Sequence, residues 1–266
     1  MEISTIIGLI FGLVAVIWGM ILKHAPLHAL ATPAAYVIIL VGTAASIFMA
    51  FPFNEVKKIP SLFKMIFIKK KLISKPELIT MFMEWASITR REGLLALESK
   101  VDEIEDNFLR NGMRMIIDGN DQDFVRDVLM EDIHATEDRH KAGALIFSQA
   151  GMYAPTLGVL GAVIGLIAAL ADMSDMNKLA AAIGAAFIAT LLGIFTGYVL
   201  WHPIANKLKR LSKQEIEVRM MMVEGLLSIQ SGVSTIAINQ KLAVFLTPSQ
   251  RVKLNEKDGG SGEQKD

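Results

Sequence analysis

The chain has 266 residues, of which 52% are hydrophobic and 20% charged, with a mean hydropathy of +0.43. Lys+Arg and Asp+Glu both number 27, and this balance withholds the basic excess with which proteins displace counterions from nucleic acid, so no nucleic-acid partner is expected. No cysteine is present, which excludes disulfides, thiolate metal sites and cysteine nucleophiles.

Taken in order, four stretches carry no Asp, Glu, Lys or Arg: Ile3–Leu22, Pro33–Phe53, Ala142–Ala171 and Leu179–Trp201. A helix needs about 20 apolar residues to cross ~30 Å of hydrocarbon, and each stretch reaches that length. The expected fold class is an all-α integral membrane protein with four transmembrane helices and a helical cytoplasmic domain. The first stretch does not read as a signal peptide, because only Met1–Glu2 precedes it and it is too long for such an apolar core.

Residues 1–53 are expected to form a transmembrane hairpin and 54–141 a polar, helix-rich insertion. Ser74-Lys75-Pro76-Glu77 reads as a helix start, with Ser74 as N-cap and Glu77 closing a capping box. The stripe Ile79, Phe82, Met83, Trp85, Ala86 follows on one broad face. A second start is expected at Asn120, with Asp121 and Asp123 in the first turn and Gly119 closing what precedes it. Residues 142–203 hold spans 3 and 4. Span 3 is about 30 uncharged residues, roughly 45 Å long, and is expected to project past the bilayer. In 204–254, Ile204, Leu208, Leu211, Val218, Met222, Leu226 and Ile229 make a helical stripe that ends near Gly232, and 255–266 reads as a disordered tail.

Lysines set the orientation. Lys23 alone lies between spans 1 and 2, and Lys178 alone between spans 3 and 4. Lys57, Lys58, Lys64, Lys69, Lys70, Lys71 and Lys75 follow span 2, and Lys207, Lys209, Arg210 and Lys213 follow span 4. By the positive-inside rule both basic flanks are cytoplasmic, and an even number of spans then puts both termini inside.

The four spans contain no carboxylate, although intramembrane carboxylates mark most proton relays. An ion-conducting reading therefore requires a titrating group from a partner. The spans offer small-residue pairs instead (Gly8/Gly12, Gly161/Gly165 and Gly193/Gly197), with alanines concentrated in spans 3 and 4. These let helix backbones approach in lipid, within one subunit or between copies. Pro155 interrupts span 3 and Pro203 the inner end of span 4, and proline frees backbone carbonyls. Thr190 brings a hydroxyl to the middle of span 4, either to bond back to its own helix or to face a ligand. Glu131, His134, Asp138 and His140 have metal-like spacing, but so charged a stretch fits a solvated helix face better, and no metal or cofactor is expected. No Walker-type loop or nucleophile elbow is present, so no enzymatic activity is expected.

The segments AGMYAPTLGVLGAVIGLIAAL (Ala150–Leu170), AAFIATLLGIFTGYVLWHPIANKLK (Ala185–Lys209), TRREGLLALE (Thr89–Glu98), ATPAA (Ala31–Ala35) and EDRHKAGA (Glu137–Ala144) together resemble the flagellar-stator, MotA-type members of the MotA/TolQ/ExbB proton-channel family. The resemblance covers nearly the whole chain and fails only in the tail. It implies a bacterial cytoplasmic-membrane subunit, five copies ringing a MotB-type partner that supplies the membrane aspartate, with the cytoplasmic part engaging a FliG-type rotor protein. On that resemblance Pro155 and Pro203 match the family's two functional prolines, and Thr190 matches a hydroxyl facing the partner's aspartate. Ala162 stands where sodium-driven relatives tend to carry threonine, which implies protons as the coupling ion. Arg90 and Glu98 match rotor-contacting charges; on a single helix their spacing would set them roughly 12 Å apart, too far to pair. The alternatives are an ExbB/TolQ-type energiser, whose members have three spans and an outward N-terminus, and a scaffold whose spans only anchor the cytoplasmic part.

Overall fold

Among the residues described by the computed structural model, 3–68, 72–171 and 175–252, every regular element is helical. Lys69, Lys70 and Lys71 of the basic flank, residues 172–174 between spans 3 and 4, and the tail 255–266 lie outside them. Four of the described helices are long and apolar enough to cross a membrane: span 1 (Ile3–Leu22), span 2 (Leu27–Ala50), and two long helices, Gln122–Leu170 and Met176–Gln230, that carry spans 3 and 4. The Gln122–Leu170 helix has 49 residues, about 74 Å at 1.5 Å per residue, longer than the ~30 Å of a hydrocarbon core. The chain divides into two compact units, 1–70 with 139–211, and 71–138 with 212–266.

In the first unit, the helix Ile59–Phe67 follows the span 1–span 2 hairpin. Its apolar face carries Phe63 and Ile66 against Phe147, Ile204 and Ala205. Phe63 meets Phe147 edge-on at 5.1 Å and Trp201 at 6.0 Å.

The second unit buries one large apolar core. The helix Lys75–Glu92 opens with the expected capping box: the Ser74 hydroxyl accepts from the Glu77 amide, and the Glu77 side chain accepts from the Ser74 amide. Leu78, Ile79, Phe82, Trp85 and Ala86 are buried and Met83 is partly buried, so the predicted stripe faces the core. This helix stops at Gly93, whose φ of +86° a side chain would strain. A short turn, Leu94–Leu97, then leads into the helix Glu98–Val101. The start expected at Asn120 shifts by one residue. Asp121 is the cap, its carboxylate accepting from the Asp123 and Phe124 amides at 3.0 Å each. The Asn120 side chain instead turns back to donate to the Met115 carbonyl at 2.8 Å, closing the preceding helix. The stripe after span 4 is buried at Val218, Met222, Leu226 and Ile229 in this unit and at Ile204 and Leu208 in the first, with Leu211 partly exposed. The long helix ends at Gln230, just before Gly232.

Candidate ion-pathway and coupling site

Spans 3 and 4 meet backbone to backbone. A methyl group on Gly158 would lie 2.8 Å from the Ala189 carbonyl oxygen and 2.9 Å from the Gly193 Cα. One on Gly193 would lie 2.8 Å from both the Ala154 oxygen and the Gly158 Cα. Side chains keep larger distances, so glycine at both positions sets the closeness of this crossing. Of the expected pairs, Gly193/Gly197 forms this contact. Gly161 makes ordinary contacts, 3.5 Å to Ile38 and 3.6 Å to Ala189 measured from such a methyl, while Gly165 and Gly8 meet nothing within 4 Å. Gly12 abuts Val199. Gly151 and Gly158 were not picked out from sequence, although Ala154 and Gly158 are themselves a small-xxx-small pair.

Pro155 sits inside this crossing. A methyl on Gly197 would lie 2.8 Å from Pro155 Cγ and 2.8 Å from the Gly151 oxygen. Proline has no N–H, so the Gly151 carbonyl four residues earlier loses its helical donor. That carbonyl is the one facing Gly197, where a Cα–H contact offers only a weak substitute. Next door, the Thr156 hydroxyl donates to the Tyr153 carbonyl at 2.7 Å. The proline is thus held by span 4 as well as by its own helix.

Two π-helical turns adjoin the same layer, and the sequence pattern gave no sign of either. Thr196–Trp201 is one, with the His202 amide donating to the Gly197 oxygen five residues back. It comes just before Pro203, and the widened turn relieves the clash between a proline ring and the carbonyl four residues earlier. The other, Val37–Val41, belongs to span 2. Its Ile39 is buried against Ala154, Ala189 and Leu192.

Thr190 follows Ala189 and is partly buried; its hydroxyl donates to the Ala186 carbonyl at 3.2 Å. No hydrogen bond joins it to span 3 among the described residues. Of the two options left open for this hydroxyl, the single chain displays the bond to its own helix. Ala162 is partly buried beside Gly161 and brings only a methyl group. Pro203 is exposed and lines a groove with span 1 and the Ile59–Phe67 helix, away from the glycine crossing. Pro155, Ala162, Thr190 and Pro203 all belong to the first unit, Arg90 and Glu98 to the second. Arg90 ends one helix and Glu98 begins another beyond Gly93, so they do not share a helix. Both are exposed and neither makes an ion pair among the described residues.

Within the described spans Asp and Glu are absent; Asp175 caps the N-terminal end of span 4, accepting from the Asn177 and Lys178 amides. Among the described residues no cluster of three His, Cys, Asp or Glu side chains could hold a metal ion. Large apolar side chains on spans 3 and 4 remain exposed in the single chain, among them Val163, Ile167, Phe187 and Ile194. Such faces are covered by lipid or by other helices.

The model of the MotA/TolQ/ExbB proton channel family matches residues 100–221. Motility protein A of Bacillus subtilis is 53% identical over 267 residues, covering 100% of this chain and 99% of its own length. The structure of the flagellar MotAB stator complex from Bacillus subtilis superposes with a TM-score of 0.89 at 54% identity, covering 94% of this chain and 98% of that one. That of C. jejuni MotAB gives 0.88 at 32% identity, covering 93% and 97%. The resemblance seen in the quoted motifs therefore holds over the whole length, and the chain belongs to the MotA/TolQ/ExbB proton channel family, on its motility protein A branch.

Proposed function

We propose that this multi-pass membrane protein is the ring-forming subunit of a flagellar stator, which passes protons with a MotB-type partner and turns their flow into torque on a FliG-type rotor protein. The observation that carries this reading is the glycine crossing of spans 3 and 4: a close-packed, proline-bearing pair with no carboxylate of its own. A helix pair built this way can shape a proton path but cannot carry the proton, so a partner's membrane aspartate supplies the titrating group. The two matched MotAB complexes, from Bacillus subtilis and C. jejuni, support such a partner. Five copies around that partner, with both termini and residues 54–141 and 204–254 on the cytoplasmic side, complete the arrangement. The basic flanks Lys57, Lys58, Lys64, Lys207, Lys209 and Arg210 support this orientation.

The Thr190 hydroxyl has a physical bias that suits the role. Its proton is committed to the Ala186 carbonyl, while its oxygen lone pairs stay available as acceptors. It can therefore receive a hydrogen bond from a protonated carboxyl, but must break its helix bond to donate to an ionised one. Hydrogen bonding of this kind favours the neutral acid, the form that moves through low-dielectric surroundings at least cost. With Ala162 supplying no oxygen, the path lacks a ligand that would help strip water from sodium, which is why protons are assigned. Pro155 and Gly197 couple span 3 to span 4, Pro203 shapes the inner end, and Arg90 and Glu98 present charges to the rotor.

A strain lacking the gene, and any second stator gene, should swim when complemented with wild type. At equal expression Pro155→Ala should not restore swimming. Normal swimming in the uncomplemented strain would overturn the proposal in favour of an energiser or scaffold role, and motility that required sodium would overturn the ion assignment.

A further inference from the structure

We propose that the groove between span 1, the helix Ile59–Phe67 and the inner end of span 4 binds one anionic phospholipid of the cytoplasmic leaflet. The groove has a volume of about 400 Å³, within the range of roughly 300–1,000 Å³ typical of ligand sites. Its walls are mainly apolar, with Leu9, Phe63, Ile66, Phe67, Val199 and Ile204 among them. Gly8 leaves one wall open, with no heavy atom within 4 Å of where a methyl group would stand.

Ser4, Thr5 and Lys207 are polar lining groups, and the Tyr198 ring also lines the groove. The Lys207 ammonium donates to the Ser4 hydroxyl at 3.3 Å, and the Thr5 hydroxyl donates to the Ile66 carbonyl at 3.3 Å. An apolar trough closed by an ammonium and two hydroxyls matches an acyl chain followed by a phosphate. The surrounding charge has the complementary sign. Residues 53–68 carry Lys57, Lys58 and Lys64 against Glu55 alone, and residues 202–211 carry Lys207, Lys209 and Arg210 with no acid. Basic pockets on the cytoplasmic side of membrane helices attract anionic headgroups for this reason. A second copy of the chain fits less well, because it would bring the same basic flank to the same depth. The site is independent of the torque reading, since lipid binding is measured without ion flow.

The test is native mass spectrometry of the detergent-purified full-length protein with its partner, titrated with phosphatidylglycerol or phosphatidylcholine. Phosphatidylglycerol should bind about fivefold more tightly, the preference expected of one lysine near a charged headgroup. Lys207→Gln should abolish the preference, and Gly8→Phe, which fills the trough, should weaken both lipids. Equal binding of the two lipids by wild type, or an unchanged preference in Lys207→Gln, would overturn the proposal. So would a disulfide from Gly8→Cys to a cysteine placed in a second copy or in the partner, since that would show protein in the groove. Should Gly8→Phe fail to fold, Lys207→Gln decides alone.

Discussion

Gly193→Ala is the sharpest probe of the span 3–span 4 crossing. The new methyl would stand 2.8 Å from the Ala154 carbonyl oxygen and from the Gly158 Cα. Ordinary contact begins at 3.4 Å, so the helices must part locally by about 0.6 Å. Both obstacles are backbone atoms, which no rotamer change can move aside. Overpacking of this kind costs about 1–3 kcal/mol, and alanine's better helix propensity returns up to ~1 kcal/mol. With the full return the net loss is ~0–2 kcal/mol, and the deficit against a glycine-to-alanine change in open space is the whole ~1–3 kcal/mol. It should appear as a lower midpoint in thermal denaturation of the detergent-purified protein, followed by loss of the helical signal in circular dichroism. Gly19→Ala is the control: nothing lies within 4 Å of its new methyl, so it should match wild type or exceed it slightly. If Gly193→Ala and Gly19→Ala proved equally stable, the close crossing described here would be refuted.

Four further outcomes are expected. Thr190→Val, which keeps the shape and loses only a hydroxyl bonded to its own helix at 3.2 Å, should abolish torque in tethered cells while the protein stays folded; Thr190→Ser should retain part of it. Reversing Arg90 or Glu98, both exposed, should lower torque yet change thermal stability by less than ~0.5 kcal/mol. Arg219 pairs with the buried Glu215 at 3.1 Å and with Asp132 at 3.6 Å, and lies 5.0 Å over the Phe108 ring. Arg219→Ala should therefore destabilise the protein by about 3 kcal/mol in urea denaturation, and Arg219→Lys, lacking the planar fork, should recover only part of it. Asp121→Ala removes the acceptor of two amides at the start of the long helix and should cost about 1 kcal/mol by the same measurement.

Local chemistry made much of the fold legible. The absence of charge over 20 or more residues marks a span because lipid tolerates little else, and the Ser74/Glu77 box announces a helix start because both side chains have backbone amides within reach. The break at Gly93 also had its signal in the sequence; weighing Arg90 and Glu98 as members of one helix overlooked a glycine between them. What stayed hidden depends on how helices are rotated. In water the apolar stripe tells which face is buried, as Phe82 and Trp85 do, but in lipid both faces are apolar and the stripe is silent. Hence Gly193/Gly197 and Gly161/Gly165 looked alike, although only the first pair, opposite Gly151 and Gly158, meets backbone. The π turn at Thr196–Trp201 is hidden for a related reason. Pro203 signals that something must yield, but not whether the helix kinks, breaks or takes in an extra residue. Arg90, Glu98 and the role of Thr190 rest on motif resemblance, since an exposed charge and a hydroxyl bonded to its own helix are ordinary features of any helix.

On the proposed reading, this chain shapes a proton path and a partner carries the titrating group. Cytoplasmic acidification under an imposed proton gradient tests it most directly, in cells making this chain alone, with its MotB-type partner, or with a partner whose membrane aspartate is replaced by asparagine. Proton entry only with the intact partner is the predicted result. Entry with this chain alone, or undiminished entry with the asparagine partner, would contradict it.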